Sequence, residues 1–115
     1  MRTILANLNK TGGVLGSMVV NRDGIVVASD FSVEADEPGM GAVSSSILSA
    51  LQSALKRIEM GKFSRFVISG SEGKMAMVEA GQAILLVLLG RDVNMGMVNL
   101  EIKEAASAIR EKSKM

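Results

Sequence analysis

The chain has 115 residues, 48% of them apolar and three of them aromatic, and its 13 basic and 12 acidic side chains give a formal charge of +1. It contains no His, Cys, Trp or Tyr. Disulfides and thiolate metal sites are therefore excluded, and the residue types that most often carry acid–base and nucleophilic catalysis are missing. The balanced charge and the scarcity of aromatic side chains also argue against a nucleic-acid partner.

The apolar residues are not arranged as a membrane or secretory segment. The longest apolar run, residues 83–89, is far shorter than the roughly 20 residues that a membrane helix needs. We expect a cytoplasmic protein without membrane insertion, and the chain length predicts a single domain over residues 1–115. An apolar surplus in so short a chain indicates surface that a partner buries.

The first part of the chain predicts a short helix followed by a β-hairpin. Apolar residues at helical spacing predict a helix over residues 2–10, which a glycine pair then ends. Residues 14–21 and 25–29 are typical of strands, and Asp23-Gly24 between them is a strong hairpin signal because glycine readily adopts positive φ. We interpret Asp23 as a turn residue rather than a metal ligand, since no second or third ligand is spaced around it.

The central helix, predicted over residues 42–60 after an acidic loop, has an unusually wide apolar face. On a helical wheel its apolar side chains cover an arc of roughly 160°, whereas a core-facing stripe is usually nearer 100° wide. The arc contains Val43, Ile47, Leu48, Ala50, Leu51, Ala54, Leu55 and Ile58, and the opposite side is mostly serine. Either the helix is well covered by its own sheet, or a second partner covers part of it; we favour the second interpretation.

Three further strands and a helix complete the predicted order α-β-β-α-β-β-β-α. The strands span residues 65–69, 74–80 and 83–89, and the last is apolar on both faces, which predicts a central position in the sheet. The final helix, residues 94–112, has a stripe of ordinary width. Antiparallel hairpins are expected, with the two end helices on one face of the sheet and the central helix on the other.

Few segments suggest chemistry. Residues 70–74 (GSEGK) superficially resemble a phosphate loop, but the spacing and the following strand favour a hairpin turn. The hydroxyls of Ser44, Ser45 and Ser46 have no histidine to activate them, so a hydrolase that uses Ser and Lys is disfavoured. The acids of residues 34–37 could bind a divalent cation weakly, although a solvated loop is favoured. The nine methionines fit either an adaptable binding surface or the filling of core gaps.

Two segments together resemble a known family, the roadblock-type domains named after the dynein light chain roadblock. Residues 12–29 resemble its opening hairpin, GGVLGSMVVNRDGIVVAS, and residues 94–106 resemble its closing helix, NMGMVNLEIKEAA. The resemblance covers about residues 4–110 and is similar in style to the prokaryotic branch that includes gliding-motility regulators. It implies a profilin-like α+β sandwich with a five-stranded antiparallel sheet, a homodimer, and a role in binding or regulating Ras-like small GTPases.

The resemblance also implies where partners bind. The family dimer forms through the central helix and the strand after it, here residues 42–60 and 65–69. The interface residues it implies are Ser45, Leu48, Ser49, Gln52, Leu55, Lys56, Glu59, Arg65, Phe66, Val67 and Ile68. We expect no catalytic residue, metal or cofactor and no arginine finger. The alternatives are a sensor that holds an apolar small molecule in its core and a scaffold for another multiprotein assembly.

Overall fold

The computed structural model describes residues 1–32 and 34–113. The order of its helices and strands is the predicted one. The elements are α1 (Arg2–Leu8), β1 (Val14–Asn21), β2 (Val26–Phe31), α2 (Glu37–Arg57), β3 (Arg65–Ser69), β4 (Gly73–Ala80), β5 (Ala83–Gly90) and α3 (Met95–Ser113).

The strands form one antiparallel sheet in the spatial order β2-β1-β5-β4-β3. Its centre is β5, as the doubly apolar sequence of this strand predicted. Because successive side chains of a strand point to opposite faces, Leu85 and Val87 join one core layer while Ile84 and Leu86 join the other. Full burial of such side chains contributes roughly 1.5–3 kcal/mol each, so both faces need a cover.

Helices cover both faces in the predicted arrangement. The α1 and α3 helices pack on one face, which we call the α3 face, where Leu5, Ile102 and Ile109 are buried. The α2 helix packs on the other, the α2 face, through Leu48 against a layer that includes Met18 and Met77. Both methionines are fully buried, so the interpretation of these two as core filling is confirmed.

The start of α2 differs from the prediction. The helix begins at Glu37 rather than at 42, because Asp36 caps it by accepting the Gly39 N–H at 3.2 Å and Pro38 suits a first turn that needs no N–H. Gly41, which locally resembles a loop residue, is needed for packing: a Cβ there would lie 2.2 Å from the carbonyl oxygen of Gly24. The close packing of the helix against the hairpin turn therefore explains why a glycine occurs at this position within the helix.

The end of α2 also differs, since the helix stops at Arg57 rather than at 60. The Glu59 N–H donates to the Lys56 carbonyl and the Met60 N–H donates to the Leu55 carbonyl, which is the Schellman pattern. Glu59 therefore takes a φ of 56°, in the left-handed region where glycine is usual. For a residue with a Cβ this conformation costs roughly 1 kcal/mol.

Replacement of Glu59 by glycine should stabilise the protein. We expect Glu59→Gly to raise the free energy of unfolding by about 0.5–1 kcal/mol, because the steric cost at the helix end disappears. The matched control is Glu104→Gly, an exposed position within α3, where lost helix propensity should lower stability by roughly 1 kcal/mol. Urea unfolding measures both changes, and a loss of stability in both variants would contradict the assignment.

Candidate functional site

The edge strand β3 is open to pairing. Within residues 1–32 and 34–113 it is hydrogen-bonded to β4 alone, so the main-chain groups along its other side have no partner strand. Its register with β4 runs without interruption from Arg65 opposite Val78 to Ser69 opposite Lys74. A regular, uncovered edge is a template for another strand.

The other edge strand, β2, is irregular. Its register with β1 shifts between Val19 and Val20, so the strand bulges and Val27 is left exposed. The side-chain amide of Asn9 also donates to the carbonyl oxygen of Asp30 at 2.7 Å, which ties the end of this strand to the segment after α1. Because bulges twist an edge and interrupt its hydrogen-bonding ladder, β3 is the better pairing edge.

The structure assigns the two faces of β3, which the sequence left open. Phe66 packs in the α2-face layer and Val67 in the α3-face layer. By the same alternation Ile68 lies on the α2 face, where 48% of it is exposed. Arg65 lies on the α3 face, and its guanidinium donates to the side-chain oxygen of Asn99 on α3.

One flank of α2 is apolar and uncovered. Of the wide apolar arc, Leu48 is only 3% exposed, while 56% of Val43 and 59% of Ile58 remain exposed. Ala50 and Ala54 are exposed between them. We call Val43, Ala50, Ala54 and Ile58 the apolar flank. The sheet therefore covers one side of the arc and leaves the other in solvent.

The apolar flank and the β3 edge lie on the same side of the sheet. Val43 lines a shallow depression together with Met75 of β4. Met75 is in turn the register partner of Ile68 on β3. An apolar strip thus runs from the start of α2 across β4 to the open edge.

The helix residues of the predicted interface lie elsewhere on α2. Ser45 donates its hydroxyl to the Arg22 carbonyl in the β1–β2 turn at 3.2 Å. Gln52 lines an open cleft of about 750 Å³ with Arg22 and Lys62, and Ser49 and Lys56 are exposed on the same side of the helix. The remaining members are Leu48, buried beneath the helix, half-buried Leu55 and exposed Glu59 beyond its end. The apolar arc read from the sequence already contains the exposed residues of the apolar flank, but the predicted interface residues do not include them.

The segments that suggested chemistry have structural partners. The hydroxyl of Ser44 donates to the Met40 carbonyl at 2.7 Å, and that of Ser46 donates to the Ala42 carbonyl at 3.2 Å. The Gly70 N–H donates to the Gly73 carbonyl at 2.8 Å, so residues 70–74 form a hairpin turn as expected.

The acidic loop also serves the fold. Asp36 caps α2, and a carboxylate oxygen of Glu37 accepts the Ser29 hydroxyl at 2.7 Å. Across the described part of the chain, no three acidic side chains converge as a metal site requires. None of the helices described here is both long and apolar enough to cross a membrane.

Comparison with known proteins gives partial matches among curated sequences. The uncharacterized protein MJ0310 of Methanocaldococcus jannaschii is 41% identical over 58 residues, which cover 50% of this chain and 51% of that protein. The uncharacterized protein MJ0714 of the same organism is 40% identical over 55 residues, covering 48% and 47%. The chain spans about half the length of the curated relatives it matches.

Solved structures match over nearly the whole chain. A Roadblock/LC7 domain from Streptomyces avermitilis superposes with a TM-score of 0.92 at 19% identity, covering 100% of this chain and 98% of that one. MglB of Myxococcus xanthus gives 0.90 at 20% identity, with 97% and 95% covered. Acanthamoeba castellanii profilin IB gives 0.70 at 14% identity, with 96% and 97% covered, so the profilin-like architecture is confirmed.

The family assignment follows from the sequence itself. The model of the Roadblock/LC7 domain family matches residues 2–89, from α1 through most of β5. This span contains both the hairpin that carried the resemblance and the α2–β3 region with its open edge. The chain belongs to the Roadblock/LC7 domain family.

Proposed function

We propose that the protein is a non-enzymatic cytoplasmic adaptor that forms a homodimer and binds a Ras-like small GTPase, whose nucleotide state or localisation it modulates. The observation that carries the proposal is the open β3 edge beside the apolar flank of α2. Membership in the Roadblock/LC7 domain family supports the choice of a small GTPase as partner.

The homodimer would form by pairing of two β3 strands. A two-fold axis perpendicular to the sheet makes the strands antiparallel and places both α2 helices on the same face of a continuous sheet. Pairing satisfies the open main-chain groups, and the half-exposed Ile68 side chains of the two copies come together beside the apolar flanks. Hydrogen bonds and apolar burial thus favour the same assembly.

The GTPase would bind the outer surface of the paired α2 helices. Binding shifts a nucleotide-dependent equilibrium only if the two states of the GTPase have different affinities for this surface. Arg57 is exposed at the end of α2, and we assign it no role as an arginine finger. We infer that any acceleration of GTP hydrolysis arises from positioning of the GTPase's own loops.

Dimerisation should depend on one exposed residue of β3. We expect Ile68→Asp to reduce the mass in solution to that of one chain, 12.1 kDa, because two carboxylates would be buried close together in the interface. The subunit should stay folded, since 48% of Ile68 is exposed without a partner. Light scattering coupled to size exclusion measures the mass, and circular dichroism reports the fold.

The matched control is Ile25→Asp, which places the same change beside the bulged β2 edge at a residue that is 63% exposed. This variant should remain dimeric. A wild-type chain that is monomeric at micromolar concentration, or an Ile68→Asp variant that is still dimeric, would refute pairing through β3.

Binding to a Ras-like GTPase from the same organism should depend on the nucleotide. We expect the affinities for the GDP-bound and GTP-analogue-bound forms to differ at least about tenfold, which corresponds to about 1.4 kcal/mol. Ser53→Arg, at an exposed position of α2 outside the apolar flank, should weaken binding by a similar factor while the mass stays that of a dimer. Calorimetry measures the affinities, with Lys10→Glu on the α3-face side as control, and equal affinity for both forms would contradict regulation of the nucleotide state.

A further inference from the structure

We propose that the α3 face of the dimer binds one α-helix of a partner protein, an amphipathic helix with acidic side chains on both sides of an apolar stripe. The proposal rests on the pairing of β3 strands proposed above. It concerns the face of the sheet opposite to α2, which the proposed GTPase surface does not use.

Each chain already has a cleft on this face, with an apolar base and a polar lining. The cleft lies between α3 and the β3–β4 edge and has a volume of about 440 Å³. Its base is formed by Val78, Ile102 and Ala106. Leu100 stands on its rim with 58% of its surface exposed. Ile102 and Ala106 are already buried in the core, so the apolar surface that an occupant would remove from water is that of Leu100 and of half-buried Val78.

The charge of the cleft is predominantly positive. Arg65, Lys103 and Arg110 line it, and the carboxylate of Glu79 also lies there. Glu79 is engaged by Arg110, with a guanidinium nitrogen 3.1 Å from a carboxylate oxygen. Arg65 is held by the neutral amide of Asn99, and Lys103 is exposed. The cleft thus offers two cations to acidic side chains of an occupant.

Pairing of two β3 strands would join two such clefts into one trough. The α3 helix packs over β4 and β5, so its axis lies above the midpoint between these two strands. Measured across the sheet, this midpoint is about one and a half strand spacings from β3. The two-fold axis lies half a spacing beyond β3, which puts the two α3 axes about 19 Å apart for strands 4.8 Å apart. Packed helix axes are about 8–10 Å apart, so the trough accommodates one helix and excludes two.

The floor of the trough is suited to a helix rather than to a strand. Val67 of each copy, only partly buried, lies on this face at the centre of the joined sheet. A strand lying on the floor would leave its main-chain N–H and C=O groups without partners against apolar side chains. A helix satisfies these groups internally and can direct its apolar stripe toward Val67. Its acidic flanks would then face Arg65 and Lys103 of both copies.

The stoichiometry follows from the symmetry. A single helix on a two-fold axis lacks that symmetry, so it binds in either of two equivalent directions and only once per dimer. The trough and the α2 surface lie on opposite faces of the sheet. One dimer can therefore hold its GTPase and a helical segment of a second protein simultaneously.

The test uses a synthetic peptide of roughly 18 residues, about 27 Å when helical, with leucines at helical spacing and glutamates on both sides of them. Calorimetry with the wild-type protein should give one peptide per two chains. Lys103→Glu should weaken binding at least about tenfold, and Arg65→Gln should weaken it less. The control variant Lys10→Glu, which lies away from the trough, should bind the peptide with unchanged affinity. A control peptide with lysines in place of the glutamates should not bind the wild-type protein.

Light scattering on the same samples separates the two proposals. A protein that is dimeric but shows no saturable binding up to about 1 mM peptide, or binds one peptide per chain, overturns the helix-binding proposal alone. Unchanged affinity in Lys103→Glu, with circular dichroism showing a folded dimer, also overturns it. A monomeric wild-type protein overturns β3 pairing and the trough together.

Discussion

The structure depends on the burial of β5 on both faces. A strand that is apolar on both sides is stable only beneath two layers, so this short chain must supply helices to both faces of one sheet. The chain ends supply α1 and α3 for one face, and the middle of the chain supplies α2 alone for the other. A single helix cannot cover five strands completely, so the β3 side of the α2 face stays open.

The local chemistry of the chain specified most of the architecture. The Asp23-Gly24 turn, the glycines between the later strands and the alternation of apolar residues were enough to predict each element and the central place of β5. The bounds of α2 were wrong where local and tertiary signals disagree. Gly41 resembles a helix breaker until its approach to Gly24 is known, and Glu59 takes a conformation that usually indicates glycine.

The candidate site was predicted less well than the fold. The apolar arc of α2 indicated that the helix has more apolar surface than one sheet needs, yet periodicity alone cannot tell which end of the arc the sheet covers. That choice depends on how the helix crosses the sheet, here fixed by the contacts of Gly41 and Ser45 with the β1–β2 turn. The faces of β3 depend likewise on its register with β4.

The bulge in β2 limits how many copies of the chain can join edge to edge. Two equally regular edges would let each copy add another on either side, and the sheet would extend into an endless ribbon, the growth mode of fibrils. The register shift beside Val20 makes β2 a poor site for addition. Growth through β3 then terminates after a single step, so one irregular strand limits polymerisation while the opposite strand remains free to associate.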